Sequence, residues 1–252
     1  MKPFLFLGTR AEDRAADSEY AAFLTATGLE ESSLVRRRLE AEPLGRVDLS
    51  DYAGIILGGG PFNISDRFAD KSRVQIRVES ELADLLDSVL GRDFPFLGCC
   101  YGIGTLGVRR GGHVDRTYGE PVGPATISLT DEGRRDRLFV SLSDTFEAYL
   151  GHKEAVARLP RGAVALASST TCPVQAFRLG RNVYATQFHP ELDLEGIETR
   201  IDVYADYGYF DPREAEAIKD RCRAVRVSEP MRLLERFVFL YGRAKRPLTG
   251  VR

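Results

Sequence analysis

Apolar residues gather into short runs separated by helical-period stretches over the first hundred positions, the alternation that builds a parallel sheet layered by helices. Phe4–Leu7 reads as a buried strand and residues 11–27 as a helix. Ser33–Arg38 and Gly54–Leu57 read as two more strands. Residues 72–90 form a long helix in which Val78, Leu82, Leu85, Leu86 and Val89 fall on one face. Phe94–Leu97 is then a fourth strand. From Gly112 to Gln187 the texture changes to short β-like runs, Ala125–Leu129, Phe146–Leu150, Ala163–Ala167, Val174–Leu179 and Val183–Gln187, set between Gly, Pro and Asp turns. Three helical stretches follow, 195–207, 212–225 and 230–245. The expected fold is α/β: a flavodoxin-like, doubly wound, mostly parallel sheet with helices on both faces, a β-rich extension and a helical C-terminal appendage. Residues 1–192 would form the main domain and 193–252 a helical extension packed on it. Sites in such sheets form beyond the carboxyl ends of the strands.

Composition narrows the function without choosing it. The 252 residues include 35 basic and 37 acidic side chains, a balance with no pull toward nucleic acid or an anionic membrane surface. The apolar run after Met1 is too short for a signal peptide, and no stretch approaches the 18 or so residues of a spanning helix. Four cysteines, two of them adjacent at Cys99 and Cys100, give neither a disulfide framework nor a Cys-x-x-Cys zinc pattern. A cytosolic protein with reduced thiols is expected.

Chemistry enters at Gly98-Cys99-Cys100-Tyr101-Gly102, where an apolar strand runs into Gly-x-Cys-x-Gly. That spacing lifts a nucleophile onto a strand-to-helix turn, with small residues on either side allowing close backbone approach. Cys100 is the candidate nucleophile, and a helix beginning near Tyr101 would favour its thiolate. Cys99 reads as a packed small hydrophobe. Val183-Tyr-Ala-Thr-Gln-Phe-His-Pro-Glu191 reads as a strand ending in His189, with Glu191 two positions on across a rigid proline. An imidazole with a carboxylate behind it is what a cysteine nucleophile needs. The other histidines are His113 and His152; His152, with Glu154 following, divides evenly between strand-end structure and pocket lining. The Thr171-Cys172-Pro173 turn reads equally as a hairpin and as a loop touching substrate. Cys172 and Cys222 carry no local signal and are read as packing.

Taken together these motifs resemble the class I, triad-type glutamine amidotransferase family, and within it the glutaminase domain of GMP synthases. The resemblance runs from about Gly54 to Glu191 through Gly58-Gly59-Gly60-Pro61, Gly98 to Gly102, Gly111-Gly112, His152, Ser168 to Pro173 and Gln187 to Glu191. It implies a glutaminase half-reaction through a Cys100 thioester, with His189 relaying protons and Glu191 holding the ring. It further implies an oxyanion hole from the amides of Tyr101 and Gly60, and substrate contacts from Gly59, Gly104, His152, Thr171 and Cys172. No cofactor and no metal are implied. The partners implied are glutamine or a γ-glutamyl compound as substrate and a separate synthetase subunit receiving ammonia; a homodimer is left open. Many relatives carry glutamine four positions after the nucleophile, where this chain has Gly104. A stand-alone hydrolase of γ-glutamyl amides or peptides is therefore the alternative, with a non-catalytic binding relative as the third reading.

Overall fold

Residues Phe4 to Leu7 are fully buried, and alternate positions face opposite sides of the sheet, as the period of two in a strand requires. The computed structural model of the chain describes residues 2–242. In chain order its elements are β1 Phe4–Gly8, α1 Asp13–Thr27, β2 Leu34–Arg38, β3 Gly54–Leu57, α2 Arg73–Arg92, β4 Phe96–Cys99 and α3 Tyr101–Gly107. There follow β5 His113–Asp115, β6 Glu120–Leu129, α4 Asp131–Arg135, β7 Thr145–His152, β8 Ala155–Arg158, β9 Val164–Ser168, β10 Ala176–Leu179 and β11 Val183–Thr186. The last helices are α5 Leu194–Val203, α6 Ala215–Arg223 and α7 Met231–Tyr241.

A nine-stranded sheet runs in the order β2-β1-β3-β4-β11-β10-β9-β6-β7, and β5 pairs with β8 apart from it. Every pairing from β2 to β11 is parallel, and every one from β11 to β7 is antiparallel. On one face Phe4 and Phe6 pack with Phe23 of α1 and with Leu233, Leu234 and Phe237 of α7. On the other, Leu5 and Leu7 pack with Val78, Leu82 and Leu86 of α2 and with Ile103 and Leu106 of α3. Helices thus cover both faces, and β4, the strand that delivers Cys100, lies buried between them. A third cluster joins Tyr149 of β7 to Ile197 and Ile201 of α5 and Ile218 of α6.

The strands of the large sheet and the long helices fall where the hydrophobic pattern places them, most to within a few residues, whereas β5, β8 and α4 have no counterpart in it. The structure departs from the pattern after Val203, where α5 ends instead of continuing to residue 207. Tyr204 there turns under the Arg10 guanidinium, 5.3 Å from its ring centre. Gly208 takes φ 71°, in the left-handed region that glycine accepts at low cost. The final helix ends at Tyr241, and residues 243–245 of the expected helix lie outside the described residues. Among the described residues no helix is long and apolar enough to cross a membrane, and no cluster of three or more His, Cys, Asp or Glu could hold a metal ion.

Candidate active site

Cys100 stands directly past the end of β4 with φ 51° and ψ −96°, a conformation rare for a residue with a side chain. Its amide donates to Thr186 O at 2.8 Å, and its carbonyl accepts from Ile103 N at 3.0 Å, so sheet and helix clamp it from either side. Such backbone strain costs about 1–3 kcal/mol and persists only where the surroundings enforce it. The two flanking glycines make the turn sterically feasible. A Cβ on Gly98 would lie 2.8 Å from the Gly102 carbonyl carbon, closer than real side chains come to backbone.

His189 arrives from β11 on the neighbouring parallel strand. Its amide donates to Tyr149 O at 3.0 Å, which fixes the turn, and its Nδ1 lies 2.9 Å from Glu191 Oε1. Both side chains are buried. The glycine loop after β3 brings the elements together: a Cβ on Gly59 would fall 2.7 Å from His189 Cε1, 2.9 Å from Arg10 Nη2 and 3.3 Å from Cys100 Cβ. Imidazole, guanidinium and thiol-bearing carbon all converge on this one residue, which cannot carry a side chain.

Behind the imidazole lies a buried row of charges that sequence reasoning missed. Arg200 of α5 places Nη2 2.7 Å from Glu191 Oε1 and 3.3 Å from Glu19 Oε1, and Nη1 2.8 Å from His189 Nδ1. Glu19 of α1 also accepts from Arg10 Nε at 3.0 Å. Charges alternate along the row, so each buried ion faces an opposite charge that offsets part of its desolvation cost. The available signal was a charged residue inside an apolar helical stripe: Glu19 lies on the buried face with Ala15, Ala16 and Phe23, and Arg200 lies between Ile197 and Ile201.

The row sets protonation. Burial opposes ionisation of Glu191, yet His189 and Arg200 beside it hold the carboxyl well below the usual carboxylate range. Burial, with Arg200 and Arg10 nearby, outweighs Glu191 and pushes His189 down to about 4. Burial pushes the Cys100 thiol up to about 11, against the pull of Arg10 and Arg200. Both shifts favour a neutral thiol beside a neutral imidazole. The helix N-terminus expected to favour the thiolate is short, α3 spanning only seven residues, and burial acts on the thiol in the opposite direction. Nδ1 also faces two competing partners, the acceptor Glu191 and the donor Arg200. A proton kept on Nδ1 and donated in a hydrogen bond to Glu191 leaves Nε2 free to accept.

Two cavities meet at Cys100, Gly60, Gly151 and Tyr209. One lies on the His189 side, with Arg10, Arg200 and Tyr204 beside apolar walls from Leu150, Ile197 and Phe210. The other lies toward Gly104, His152, Lys153, Glu154 and Gln187. The segment after α5 caps both. Tyr204 donates to Glu12 Oε2 at 3.0 Å, Tyr207 donates to the other Glu12 oxygen, and Lys153 Nζ donates to Tyr207 O at 2.6 Å.

Each remaining candidate has a definite place. The Gly60 amide donates to no group among the described residues, and Gly60 lines both cavities. The Tyr101 amide belongs to the first turn of α3, where helical N–H groups lack internal partners. Gly59 uses its backbone internally, donating to Glu19 Oε1 at 3.2 Å and accepting from Thr9 Oγ1 at 3.0 Å. Gly104 lines the second cavity. His152 lines it too, but its ring is held on both sides, Nε2 2.9 Å from Glu120 Oε2 and Nδ1 2.9 Å from the Glu154 carbonyl. Thr171 and Cys172 are not brought to either cavity. Thr171 donates to Glu120, and the Cys172 thiol is buried against the Val174 carbonyl at 3.6 Å, so this turn braces the His152 network.

Known proteins share this arrangement of elements. The family description "Glutamine amidotransferase class-I" matches residues 29–201. The chain is 28% identical over 147 residues to the glutamine-hydrolyzing GMP synthase of Petrotoga mobilis, a match covering 58% of this chain and 26% of that protein. It is 27% identical over 164 residues to one subunit of the glutamine-hydrolyzing GMP synthase of Picrophilus torridus, covering 65% of this chain and 77% of that polypeptide. The matched region thus spans about a quarter of the first relative's length. Among solved structures, a glutamine amidotransferase from Thermotoga maritima superposes with a TM-score of 0.69 at 21% identity, over 94% of this chain and 99% of that one. A glutamine amidotransferase from Methylobacillus flagellatus gives 0.71 at 16% identity over 100% of both chains. At these identities the superpositions show the fold.

Proposed function

The chain belongs to the class-I glutamine amidotransferase family, and from that premise we propose that it hydrolyses the side-chain amide of glutamine through a thioester on Cys100. Cys100 Sγ attacks the amide carbon while its proton passes to His189 Nε2. The resting thiol and imidazole are both neutral, so proton transfer accompanies attack instead of preceding it. The tetrahedral oxyanion is received by the Gly60 and Tyr101 amides; one such donor is worth about 3 kcal/mol of barrier. His189 then gives its proton to the leaving nitrogen, and the C–N bond breaks to release ammonia. Water, deprotonated by the same imidazole, opens the thioester to glutamate and restores the thiol. Glu191 keeps the ring in the tautomer that makes Nε2 the acceptor.

One observation carries this reading: the buried His189–Glu191 pair, at 2.9 Å, meets the strained Cys100 across a glycine that leaves no room for a side chain. The test measures ammonia and glutamate release by purified protein given glutamine, with Cys100→Ala and Cys99→Ala alongside. Release that survives Cys99→Ala and vanishes with Cys100→Ala supports it; equal losses in both refute it.

The relative of matching extent is named as one subunit of a GMP synthase, and a separate synthetase polypeptide receiving the ammonia is the partner we infer. A cytosolic location accords with four free thiols. A second reading, a stand-alone hydrolase of substituted γ-glutamyl amides, is favoured by the apolar walls on the His189 side, where a leaving amine would sit. Faster release from a substituted amide than from glutamine would select it.

A further inference from the structure

Thr9 directly follows β1, and the glycine loop follows β3, the strand paired beside it. The side chain is wholly buried, and its hydroxyl donates to the Gly59 carbonyl at 3.0 Å. That carbonyl shares a peptide plane with the Gly60 amide, the group that receives the oxyanion in the reaction above. The bond between them is trans, as are all peptide bonds among the described residues, so C=O and N–H point in opposite directions. Fixing one therefore aims the other. The Gly60 amide donates to no group among the described residues, and Gly60 lines both cavities that contain Cys100.

Three consecutive glycines, Gly58 to Gly60, have no Cβ to restrict rotation of the peptide planes between them. A half-turn of the Gly59–Gly60 plane would exchange amide for carbonyl and present an acceptor where the oxyanion needs a donor. Two hydrogen bonds oppose that turn. Glu19 Oε1 accepts from Gly59 N at 3.2 Å and holds the preceding plane, while Thr9 holds the plane that carries the Gly60 amide. Space is matched as well as bonding, since a Cβ on Gly60 would overlap Thr9 Oγ1. Glu19 also accepts from Arg10 and Arg200. Among the described residues Thr9 forms no side-chain hydrogen bond with that charged row, nor with Cys100, His189 or Glu191. Its hydroxyl proton is committed to the loop.

We propose that Thr9 is a positioning residue of the oxyanion hole, pinning the Gly59 carbonyl so that the Gly60 amide faces the reacting carbon. This rests on Cys100 attacking an amide, since only a tetrahedral oxyanion calls for that donor. The requirement at position 9 is for a hydroxyl proton: serine can supply it, and valine, close to threonine in shape, cannot. Because charge on the substrate oxygen develops in the transition state, losing the aim of the amide slows turnover and leaves substrate binding in place.

Ammonia release from glutamine by Thr9→Val and Thr9→Ser provides the test, together with a crystal structure of each variant and of the parent. Thr9→Val should lose at least about tenfold in kcat with KM changed by less than about twofold, and Thr9→Ser should stay within about twofold of the parent in both. In the Thr9→Val structure the Gly59 carbonyl should leave its parent orientation, and in Thr9→Ser it should keep it. Alkylation of Cys100 by iodoacetamide, a displacement with no tetrahedral oxyanion, should run at the parent rate in both variants. Full kcat in Thr9→Val, an equal loss in Thr9→Ser, or alkylation that falls in step with kcat overturns the proposal. So does a Gly59 carbonyl that keeps its place in Thr9→Val, whatever the kinetics. If Thr9→Val does not fold, Thr9→Ala removes the same hydroxyl and is read in the same way. A parent protein that releases no ammonia removes the hydrolase reading, and the carbonyl orientations then decide by themselves whether Thr9 pins the loop.

Discussion

His189 acts in this account as a neutral imidazole, and its surroundings fix the pH range in which it can do so. Burial, reinforced by Arg200 and Arg10, pushes it down to about 4 in spite of Glu191. The form that accepts the Cys100 proton exists above that value and is lost as pH falls through it. The acid limb of kcat/KM should therefore lie near pH 4, well below an ordinary histidine limb near 6.5. Arg200→Met removes one of the positive charges acting on the ring, so His189 should rise and the acid limb move toward neutrality. A limb that stays in place in that variant, measured over pH 3.5 to 8, would separate Arg200 from the titration. Cys100, His189 and Glu191 were legible because their motifs are local in sequence, a glycine-flanked turn and a three-residue turn. Arg10, Glu19 and Arg200 were not, because their partners lie on other elements and only the fold brings them together.

The strand-turn-helix around Cys100 is the element on which the site depends. Gly98 and Gly102 touch backbone to backbone, so Gly98→Ala must push β4 and α3 apart. We expect it to destabilise the protein by more than about 2 kcal/mol and to abolish ammonia release, read by denaturant midpoint and activity together. An active, fully stable Gly98→Ala would mean that the turn is not under strain. Long elements could be read from the sequence because periodicity accumulates with length. In α2 five apolar residues share a face, and Ser72 caps it by accepting from Gln75 N at 3.1 Å. Strands β5 and β8 and helix α4 span three to five residues, too few for a period to register. The stretch after Val203 reads as helix by composition but is held open by bonds to Glu12 and Lys153, which no local rule could anticipate.

At the scale of the whole molecule, three parallel neighbours, β3, β4 and β11, end at the same edge of the sheet. The glycine loop, Cys100 and His189 follow these ends in turn, which is why an alternating sequence pattern already located the site. The antiparallel half and the later helices supply what the pattern could not show, the His189 anchor at Tyr149 and the Arg200 guanidinium. Those helices also reach the core. Phe237 of α7 is fully buried, 5.8 Å from Phe4 ring to ring, and Phe237→Ala should cost about 3–5 kcal/mol by denaturant unfolding. A loss under about 1 kcal/mol would show that α7 lies outside the cooperative unit. The central claim, that Cys100 forms a thioester with a γ-glutamyl group, is tested most directly by intact-protein mass spectrometry after incubation with a glutamine-like electrophile. The account predicts a single adduct that maps to Cys100, forms in Cys99→Ala and is absent from Cys100→Ala. An adduct on Cys99, or one still formed by Cys100→Ala, would contradict it.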